Sequence, residues 1–394
     1  MTCFDDVRGK LGFGLMRLPK IDGEIDIPQF GDMVDAFLGA GFNYFDTAWA
    51  YPGSEEATRK ALVERYPRDA FLLATKAAPW FKCKNAQEAY AQLEISLERT
   101  GAGYIDYYLM HNLGSVRTEA FDRFDMWEFA QRKREEGVIR HLGLSIHDSA
   151  DALDAVLDEH PEVEFVQLQV NYLDWDNPVH QSHACLEVAR KHGKPVVVME
   201  PLRGGLLANP PESVRHVFEQ ADPTSSCASW ALRFAASQPD VAVVLSGMSD
   251  LAQMEANIRT MQDFECMGVE EEAVIARAQD EFAKFDLIPC TGCDYCAKAC
   301  PANIGISGAL LALNAHTMLK LRHRSSLPAR PEATSGRASV DSRFNSAAST
   351  SKIRNSYFAA SLCAPGNEKR GKVLAIPRFS LPMPGPVISL PSPG

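Results

Sequence analysis

Short apolar runs that end in a polar residue are the most regular feature of this chain. Three of them follow one another in its first third, and their final polar residues are Asp46, Lys76 and His111. Such runs predict buried strands. A charged or titratable side chain at the tip of a buried strand is costly unless something there uses it. The pattern therefore predicts a functional site at the ends of these strands.

The same alternation continues through most of the chain. Segments with helical periodicity, such as 85–101 and 150–159, lie between the runs, and the first of them has a capping-type start. Strand–helix units of about 30 residues predict a parallel sheet closed into a (β/α)8 TIM barrel. An open doubly wound sheet is the alternative, but no Gly-x-Gly-x-x-Gly opens a helix after the first run. The predicted strands are 11–16, 42–48, 71–76, 105–111, 139–146, 165–172, 195–202 and 241–247.

Composition limits the class of protein. The chain has 394 residues, 46% of them hydrophobic, which suits one large domain with an appendage or two domains. No run of 18 or more apolar residues occurs, so we expect no membrane span. The first residues show no basic segment followed by an apolar one, so we expect no secretory signal and a cytoplasmic location.

The distribution of charge separates the tail from the rest of the chain. Residues 321–394 contain 11 lysines and arginines against 3 acidic residues, whereas the first 320 residues carry a net charge of −19. The acidic body argues against nucleic acid as a partner. The tail is rich in Pro, Ser and Gly, which predicts disorder. A reading-frame shift in the coding sequence also explains the abrupt change, and translating the other frames beyond codon 320 distinguishes the two explanations.

Tyr51 joins the three strand-tip residues to make a set with recognisable chemistry. A tyrosine hydroxyl, with a pKa of about 10, exchanges protons poorly near neutral pH. A lysine beside it favours the phenolate and lowers that pKa, and a carboxylate holds the lysine in place. A histidine can bind a substrate oxygen or relay the proton. Asp46, Tyr51, Lys76 and His111 therefore suit protonation of a carbonyl oxygen as hydride reaches its carbon, although each alone is as well explained as a cap, core or surface group.

These segments together resemble the aldo-keto reductases, over about residues 8–318. The resemblance implies an NAD(P)H-dependent reduction of a carbonyl or oxidation of an alcohol. It implies Tyr51 as general acid/base, Lys76 lowering its pKa, Asp46 orienting Lys76 and His111 positioning the carbonyl oxygen. The matching segments are Gly12–Pro19, Phe45–Ala48, Tyr51–Glu55, Ala74–Lys76, Tyr108–His111 and Gly143–His147.

The resemblance also implies a nicotinamide site along the later strands. Ser145 and Gln167 are expected at the carboxamide, the turn 201–205 near the pyrophosphate, and Asn257 on the adenine. Small residues in such a turn admit close backbone approach. The implied cofactor-binding residues are Ser145, Gln167, Met199, Pro201, Leu202, Gly204, Gly247, Ser249, Gln253 and Asn257.

Three departures from the family pattern bear on the cofactor. Ile146 stands where many relatives have an Asn, and Met199 stands where many stack a Tyr on the nicotinamide. Gly247 and Gln253 replace basic residues that clamp a 2′-phosphate in many relatives. The choice between NADP and NAD therefore stays open, with Arg259 as a candidate substitute.

A cysteine run follows the predicted barrel. Its spacing, C-x2-C-x2-C-x3-C-P, is that of bacterial ferredoxins, whose thiolates ligate a [4Fe–4S] cluster. Structural zinc is the main alternative and disulfides the third. No second such run is present, so the fourth cysteine either completes this cluster or leaves it with three ligands; iron–sulfur members of the resembling family often carry a second run. The expected metal ligands are Cys290, Cys293, Cys296 and Cys300.

These observations predict an aldo-keto reductase-type oxidoreductase with an iron–sulfur appendage. The alternatives are an electron-transfer protein, or a regulatory subunit, on a barrel that no longer reduces carbonyls. A small carbonyl or alcohol substrate is the expected partner, and a redox partner protein is the second candidate. Trp49, Trp80 and Phe81 are expected either to line a pocket or to pack the barrel rim. The predicted domains are a barrel at 1–285, a ferredoxin-type 4Fe-4S segment at 286–318 and a disordered low-complexity tail at 319–394.

Overall fold

The structure is a computed structural model, and it describes residues 2–325 except for a few short gaps. The gaps are 115–116, 179, 289, 291–295, 297–299, 301 and 303. Within residues 319–325 it describes the backbone alone. No helix in this part of the chain is long and apolar enough to cross a membrane.

Eight parallel strands of the described chain close into a barrel. Going round it, their order is β1-β10-β9-β8-β7-β6-β5-β4, so β1 closes the barrel by pairing with both β10 and β4. A small antiparallel hairpin, β2 with β3, follows the first strand. The strands are β1 Leu11–Gly14, β2 Lys20–Ile21, β3 Glu24–Ile25, β4 Tyr44–Asp46, β5 Leu72–Ala77, β6 Ile105–Leu113, β7 Ile139–Ile146, β8 Phe165–Gln169, β9 Val196–Met199 and β10 Val241–Ser246.

Helices connect the strands and surround the barrel. Several begin at a residue whose side chain accepts a hydrogen bond from a backbone N–H of the first helical turn. Asn85 accepts from Glu88, Ser149 from Ala152 and Asp250 from Gln253. The described helices are α1 Ile27–Gly39, α2 Ser54–Thr58, α3 Ala86–Thr100, α4 Thr118–Arg123, α5 Met126–Glu135, α6 Ala150–Glu159, α7 Ser182–Lys191, α8 Glu212–Ala221, α9 Cys227–Ser237, α10 Leu251–Met261, α11 Val269–Phe282 and α12 Ile306–Ser325.

The apolar core has a part between barrel and helices and a part inside the barrel. The larger part packs the outward faces of the strands against the helices. Inside, aromatic rings from the amino-terminal ends of the strands stack around Phe4, among them Tyr107 and Phe165 at 5.1 and 5.3 Å between ring centroids. These rings fill the amino-terminal part of the barrel interior, which leaves the opposite end for a pocket.

The structure confirms the predicted barrel and differs in detail from the sequence pattern. All eight predicted strands are present, with ends shifted by a few residues, because apolar runs continue beyond the last ladder hydrogen bond. The hairpin β2–β3 was not predicted, since four strand residues carry too little pattern. α12 runs to Ser325, past residue 319, where the predicted tail begins. Residues 326–394, where most of the predicted tail lies, are outside the described residues, and the domain boundaries stay predictions.

Candidate active site

The carboxyl-terminal ends of six neighbouring strands bring the predicted polar residues to one pocket. β4, β5 and β6 carry Asp46, Lys76 and His111, and β7, β8 and β9 continue the ring. Parallel strands in register place these tips at a common height, as the pairing of β7 with β8 and of β8 with β9 shows. The pocket is lined by Gly14, Met16, Arg17, Asp46, Tyr51, Lys76, His111, Ser145, His147, Gln167, Met199, Glu200, Leu245 and Gly247.

Lys76 and Asp46 form a buried ion pair at the bottom of the pocket. Lys76 Nζ donates to Asp46 Oδ1 at 2.5 Å and to the carbonyl oxygen of Thr47 at 2.7 Å. The two side chains are 1% and 3% exposed. Burial raises the pKa of Asp46 and lowers the pKa of Lys76, while the attraction between the charges opposes both shifts. Asp46 Oδ2 accepts no hydrogen bond from any described residue.

Tyr51 lies directly beside this pair. Lys76 Nζ is 5.3 Å from the centroid of the Tyr51 ring. The rings of Tyr51 and His111 meet edge to face, with 5.8 Å between centroids and 82° between planes. The four predicted catalytic residues therefore share one small volume, with a cation next to the phenol and an imidazole across from it.

Hydrogen bonds hold the loop that carries Tyr51. Ser54 Oγ lies 2.8 Å from Thr47 Oγ1 and donates to the carbonyl oxygen of Leu15 at 2.9 Å. The buried carboxylate of Glu55 accepts from Thr75 Oγ1 at 2.8 Å, and its other oxygen pairs with Arg99 at 3.2 Å. Both ends of the loop are thus tied to the barrel or to α3, which fixes where the phenol can lie.

Trp80 supports His111 from the rim. Its indole Nε1 donates to the carbonyl oxygen of His111 at 2.7 Å, and the two rings are 6.1 Å apart. Trp49, Trp80 and Phe81 also line an adjoining cavity of about 320 Å³ together with Pro52 and Glu56. Both expectations apply to Trp80, which lines this cavity and also packs against the barrel core.

Ser145 and Gln167 form a donor–acceptor pair in the pocket wall. The backbone N–H of Asn112 donates to Ser145 Oγ at 2.8 Å, because Asn112 has a left-handed conformation with φ of 57°. The Ser145 hydroxyl can then donate its own hydrogen into the pocket. Gln167 is 2% exposed, and its Oε1 accepts no hydrogen bond from the described residues. One donor and one acceptor are what a planar carboxamide requires.

The turn after β9 is held from beneath by a second buried ion pair. Arg203 Nε donates to both oxygens of Asp174, at 3.1 and 2.9 Å. Asn171 and Gln169 also donate to Asp174 Oδ2, at 3.0 and 2.8 Å. Pro201, Leu202 and Gly204 lie on this turn, outside the catalytic pocket. Gly204 is exposed at its outer side.

The residues expected at the adenosine end lie around the end of β10. Gly247 lines the catalytic pocket, whereas Ser249, Gln253 and Asn257 do not. Ser249 Oγ donates to the carbonyl oxygen of Arg17 at 3.0 Å, and Gln253 is engaged with Ser249 and Asp250. Asn257 is 5% exposed and donates to Ser246 Oγ at 3.0 Å. Arg259 is 70% exposed and pairs with Glu255 on its own helix.

Sequence reasoning missed three titratable residues of the pocket as site residues. Arg17 and Glu200 lie 183 positions apart and pair across the pocket at 3.4 Å, which no local pattern signals. His147 was noted only as part of a motif. Burial, with the nearby charges of His180 and Arg117, lowers the pKa of His147 to about 4, so its imidazole is neutral at physiological pH.

The cysteine segment is only partly described. Cys290 and Cys300 are half-buried and Cys296 is exposed, while Cys293 lies outside the described residues. The chain before Cys290 is fixed to α12, because Asn314 exchanges two hydrogen bonds of 2.8 Å with the backbone of Ile288. The barrel and α12 belong to one compact unit, to which Cys300 does not belong.

Comparison with known proteins identifies relatives of this chain and of its fold. The model of the aldo/keto reductase family matches residues 10–266, more than half of the chain. An uncharacterized oxidoreductase of Schizosaccharomyces pombe is 27% identical over 298 residues, covering 72% of this chain and 87% of its own. An aldo-keto reductase of Bacillus halodurans in its holo form superimposes with a TM-score of 0.55 at 26% identity, over 68% of this chain and 91% of that one. A Klebsiella pneumoniae aldo/keto reductase, solved with NADP and acetate, has the same fold: TM-score 0.55, 20% identity, and 68% and 90% coverage.

The closed parallel barrel and the family match identify an oxidoreductase. The chain belongs to the aldo/keto reductase family. The expected iron–sulfur subgroup, redox partner and cytoplasmic location stay predictions, since neither the fold nor these relatives test them.

Proposed function

We propose that this protein transfers hydride between a nicotinamide cofactor and the carbonyl or alcohol carbon of a small molecule. The observation that carries the proposal is the buried Lys76–Asp46 pair, with Lys76 Nζ 5.3 Å from the ring of Tyr51. A buried lysine–aspartate pair next to a phenol has little structural use, because burying the two charges costs free energy. Family membership supports the same reaction class.

In the reduction, Tyr51 gives its hydroxyl proton to the carbonyl oxygen. The ammonium of Lys76 stabilises the phenolate that remains, since an opposite charge nearby favours the ionised form. Asp46 keeps Lys76 charged and fixed by the 2.5 Å hydrogen bond. His111, edge-on to Tyr51, hydrogen-bonds the substrate oxygen and orients it toward the phenol. In the reverse direction Tyr51 takes the proton from an alcohol.

The residues of the later strands suit a nicotinamide. When bound, the nicotinamide supplies or accepts the hydride. Ser145 would donate to the carboxamide oxygen and Gln167 Oε1 would accept from its nitrogen, which uses an acceptor left unpaired among the described residues. Met199 would pack on the ring, and the turn 201–205 and Asn257 would hold the distal part. The Klebsiella pneumoniae protein of the same fold was solved with NADP.

The first experiment replaces the proton donor. Tyr51→Phe removes one hydroxyl, so carbonyl reduction should fall by about 10²–10⁴-fold, while the dissociation constant for NADPH and the melting temperature stay unchanged. Tyr90→Phe is the matched control, because Tyr90 stacks on Phe129 at 4.2 Å on the outer helices. Wild-type turnover of Tyr51→Phe on every active substrate would refute the assigned role.

The second experiment concerns NADPH against NADH. Gly247 and Gln253 present no cation, and Arg259 already pairs on its own helix, so the two dissociation constants should lie within about tenfold. Gly247→Arg should shift the preference toward NADPH, and fluorescence titration measures both. A native preference for NADPH of several thousandfold would mean that another cation holds the 2′-phosphate.

We further propose a [4Fe–4S] cluster on Cys290, Cys293 and Cys296, with Cys300 as the fourth ligand. The ferredoxin spacing of the four cysteines supports it, and the chain before Cys290 is anchored by Asn314. Such a cluster supplies one-electron transfer or a structural cross-link.

Iron and sulfide analysis tests the cluster. Protein purified without oxygen should contain iron and acid-labile sulfide, and Cys290→Ser should lose both together with the brown chromophore. Cys266→Ser, at an exposed thiol outside the run, is the control. Stoichiometric zinc without sulfide would overturn the assignment.

A further inference from the structure

The pocket holds an ion pair that the catalytic mechanism does not use. Both guanidinium nitrogens Nη1 and Nη2 of Arg17 lie 3.4 Å from Glu200 Oε1. The other carboxylate oxygen, Oε2, accepts from the backbone N–H of Gly204 at 2.6 Å. One carboxylate therefore bridges two donors, a cation from the loop after β1 and an amide from the turn after β9.

These two donors are the kind that bind phosphate. Glycine amides that point outward and an arginine fork are recurrent phosphate ligands, because both form charge-assisted hydrogen bonds to anionic oxygens. Gly204 also lies on the turn for which a cofactor pyrophosphate is proposed, and Arg17 faces that turn through Glu200. The carboxylate of Glu200 and a phosphate cannot both use the same hydrogens.

The backbone around Glu200 is fixed, so only its side chain can give way. Its carbonyl oxygen accepts from Asn171 Nδ2 at 3.1 Å and from the N–H of Arg203 at 3.0 Å. The Arg203–Asp174 pair beneath the turn is 3% and 0% exposed. Gly204 is exposed, and Arg17 is 37% exposed, so both donors are reachable once the carboxylate rotates away.

The size and charge of the pocket agree with competition between the Glu200 carboxylate and a phosphate for the same donors. Its volume is about 70 Å³, with Glu200 in its wall, whereas ligand pockets are commonly about 300–1,000 Å³. Among the pocket residues, Lys76 offsets Asp46 and Arg17 offsets Glu200. Movement of Glu200 out of the pocket both widens it and leaves one unpaired positive charge for the anion.

We infer that Glu200 is an internal competitor for the cofactor pyrophosphate, held on Arg17 and the Gly204 amide until the phosphates displace it. This inference rests on the proposed function. Glu200 thereby sets the affinity for nicotinamide cofactors without touching the reacting atoms. If the carboxylate holds these donors in about nine of ten molecules, the apparent dissociation constant is about tenfold weaker than the intrinsic one.

Calorimetric titration with NADH, ADP and adenosine tests the inference. Glu200→Gln should tighten NADH and ADP binding by about tenfold and leave adenosine, which has no phosphate, unchanged. Glu200→Asn is the second variant, because its side chain cannot reach Gly204 and Asn tolerates the left-handed φ of 53° at this position. Glu94→Gln, on the exposed face of α3, controls for the change in net charge.

Arg17 supplies the other half of the test. Arg17→Ala should weaken NADH binding by about tenfold or more in the Glu200→Gln background and less in the native one, where Glu200 already occupies the cation. Equal or weaker NADH binding by folded Glu200→Gln would overturn the inference, and would mean that the pair closes over the cofactor instead. Absence of NADH and NADPH binding by every variant would refute the proposed function itself, and this inference with it.

Discussion

The two ends of the barrel each bury a carboxylate, and they treat it differently. At the amino-terminal end, Asp106 is 1% exposed, and its oxygens accept from Arg68 at 2.5 Å, Arg140 at 3.0 Å and the N–H of Leu73 at 2.9 Å. At the carboxyl-terminal end, Asp46 is as deeply buried but pairs with Lys76 through one oxygen, and Oδ2 has no hydrogen-bond partner among the described residues. The same sheet thus carries one buried carboxylate whose two oxygens both accept hydrogen bonds and one whose second oxygen accepts none from the described residues.

The difference in hydrogen bonding separates a carboxylate that stabilises the fold, Asp106, from one that serves the proposed reaction, Asp46. A buried carboxylate with three donors has repaid its desolvation and joins β5, β6 and β7. A buried pair with an unused acceptor costs stability, and neighbouring Gln167 carries another such acceptor. Groups of this kind accumulate where a ligand or a reaction completes them.

The largest expected effect comes from neutralising the carboxyl-terminal pair. Asp46→Asn combined with Lys76→Met removes both charges, so carbonyl reduction should fall by about 100-fold or more. The free energy of unfolding should stay within about 1 kcal/mol of the wild-type value, because no unpaired buried charge is left. Steady-state kinetics and urea denaturation measure the two quantities. Retained turnover would show that the pair is structural.

A substitution of Asp106 tests the amino-terminal end of the barrel. Asp106→Asn leaves two arginines without their carboxylate, so the free energy of unfolding should fall by about 2–3 kcal/mol, a value reduced because Arg68 and Arg140 are 20% and 48% exposed. The turnover number should not change. If Asp106→Asn loses activity at a temperature where it is fully folded, the two ends are not separable in this way.

A smaller effect concerns His147 at the catalytic end. Its pKa is about 4 when folded and about 6.5 when unfolded, so the unfolded chain takes up the extra proton as pH falls between these values. Stability from this group is therefore present above pH 6.5 and is lost on acidification, by at most about 2 kcal/mol between pH 7 and pH 5. His147→Gln should have a correspondingly flatter unfolding profile in denaturant titrations. If the wild-type protein and His147→Gln have identical pH profiles of unfolding, another group causes the loss of stability at low pH.

The comparison also shows what the sequence could predict. The eight strands and the residues at three of their tips follow from short apolar runs, because burial on both faces leaves an unbroken apolar pattern. Asp106 has no such signal, since its arginines lie 38 and 34 positions away. The Arg17–Glu200 pair is further still from local pattern. Contacts made when the barrel closes depend on strand order and register, which a linear pattern does not contain.

The sequence also did not predict the backbone conformation of two residues in or near the pocket. Asn112 and Glu200 have left-handed φ values of 57° and 53°, although neither is a glycine. The first turns an N–H toward Ser145, and the second turns a carboxylate toward Gly204. Such residues are maintained by their surroundings rather than by their own preference.

Transfer of isotope from the cofactor tests the central claim most directly. NADH or NADPH carrying two deuterium atoms at C4 of the reduced nicotinamide is incubated with the protein and an aldehyde that it turns over, and the alcohol is analysed by mass spectrometry. The account predicts one deuterium on the carbinol carbon with wild-type protein, and a rate of label transfer lower by about 10²–10⁴-fold with Tyr51→Phe. Alcohol that forms without the label, or label transfer at the wild-type rate by Tyr51→Phe, would contradict it.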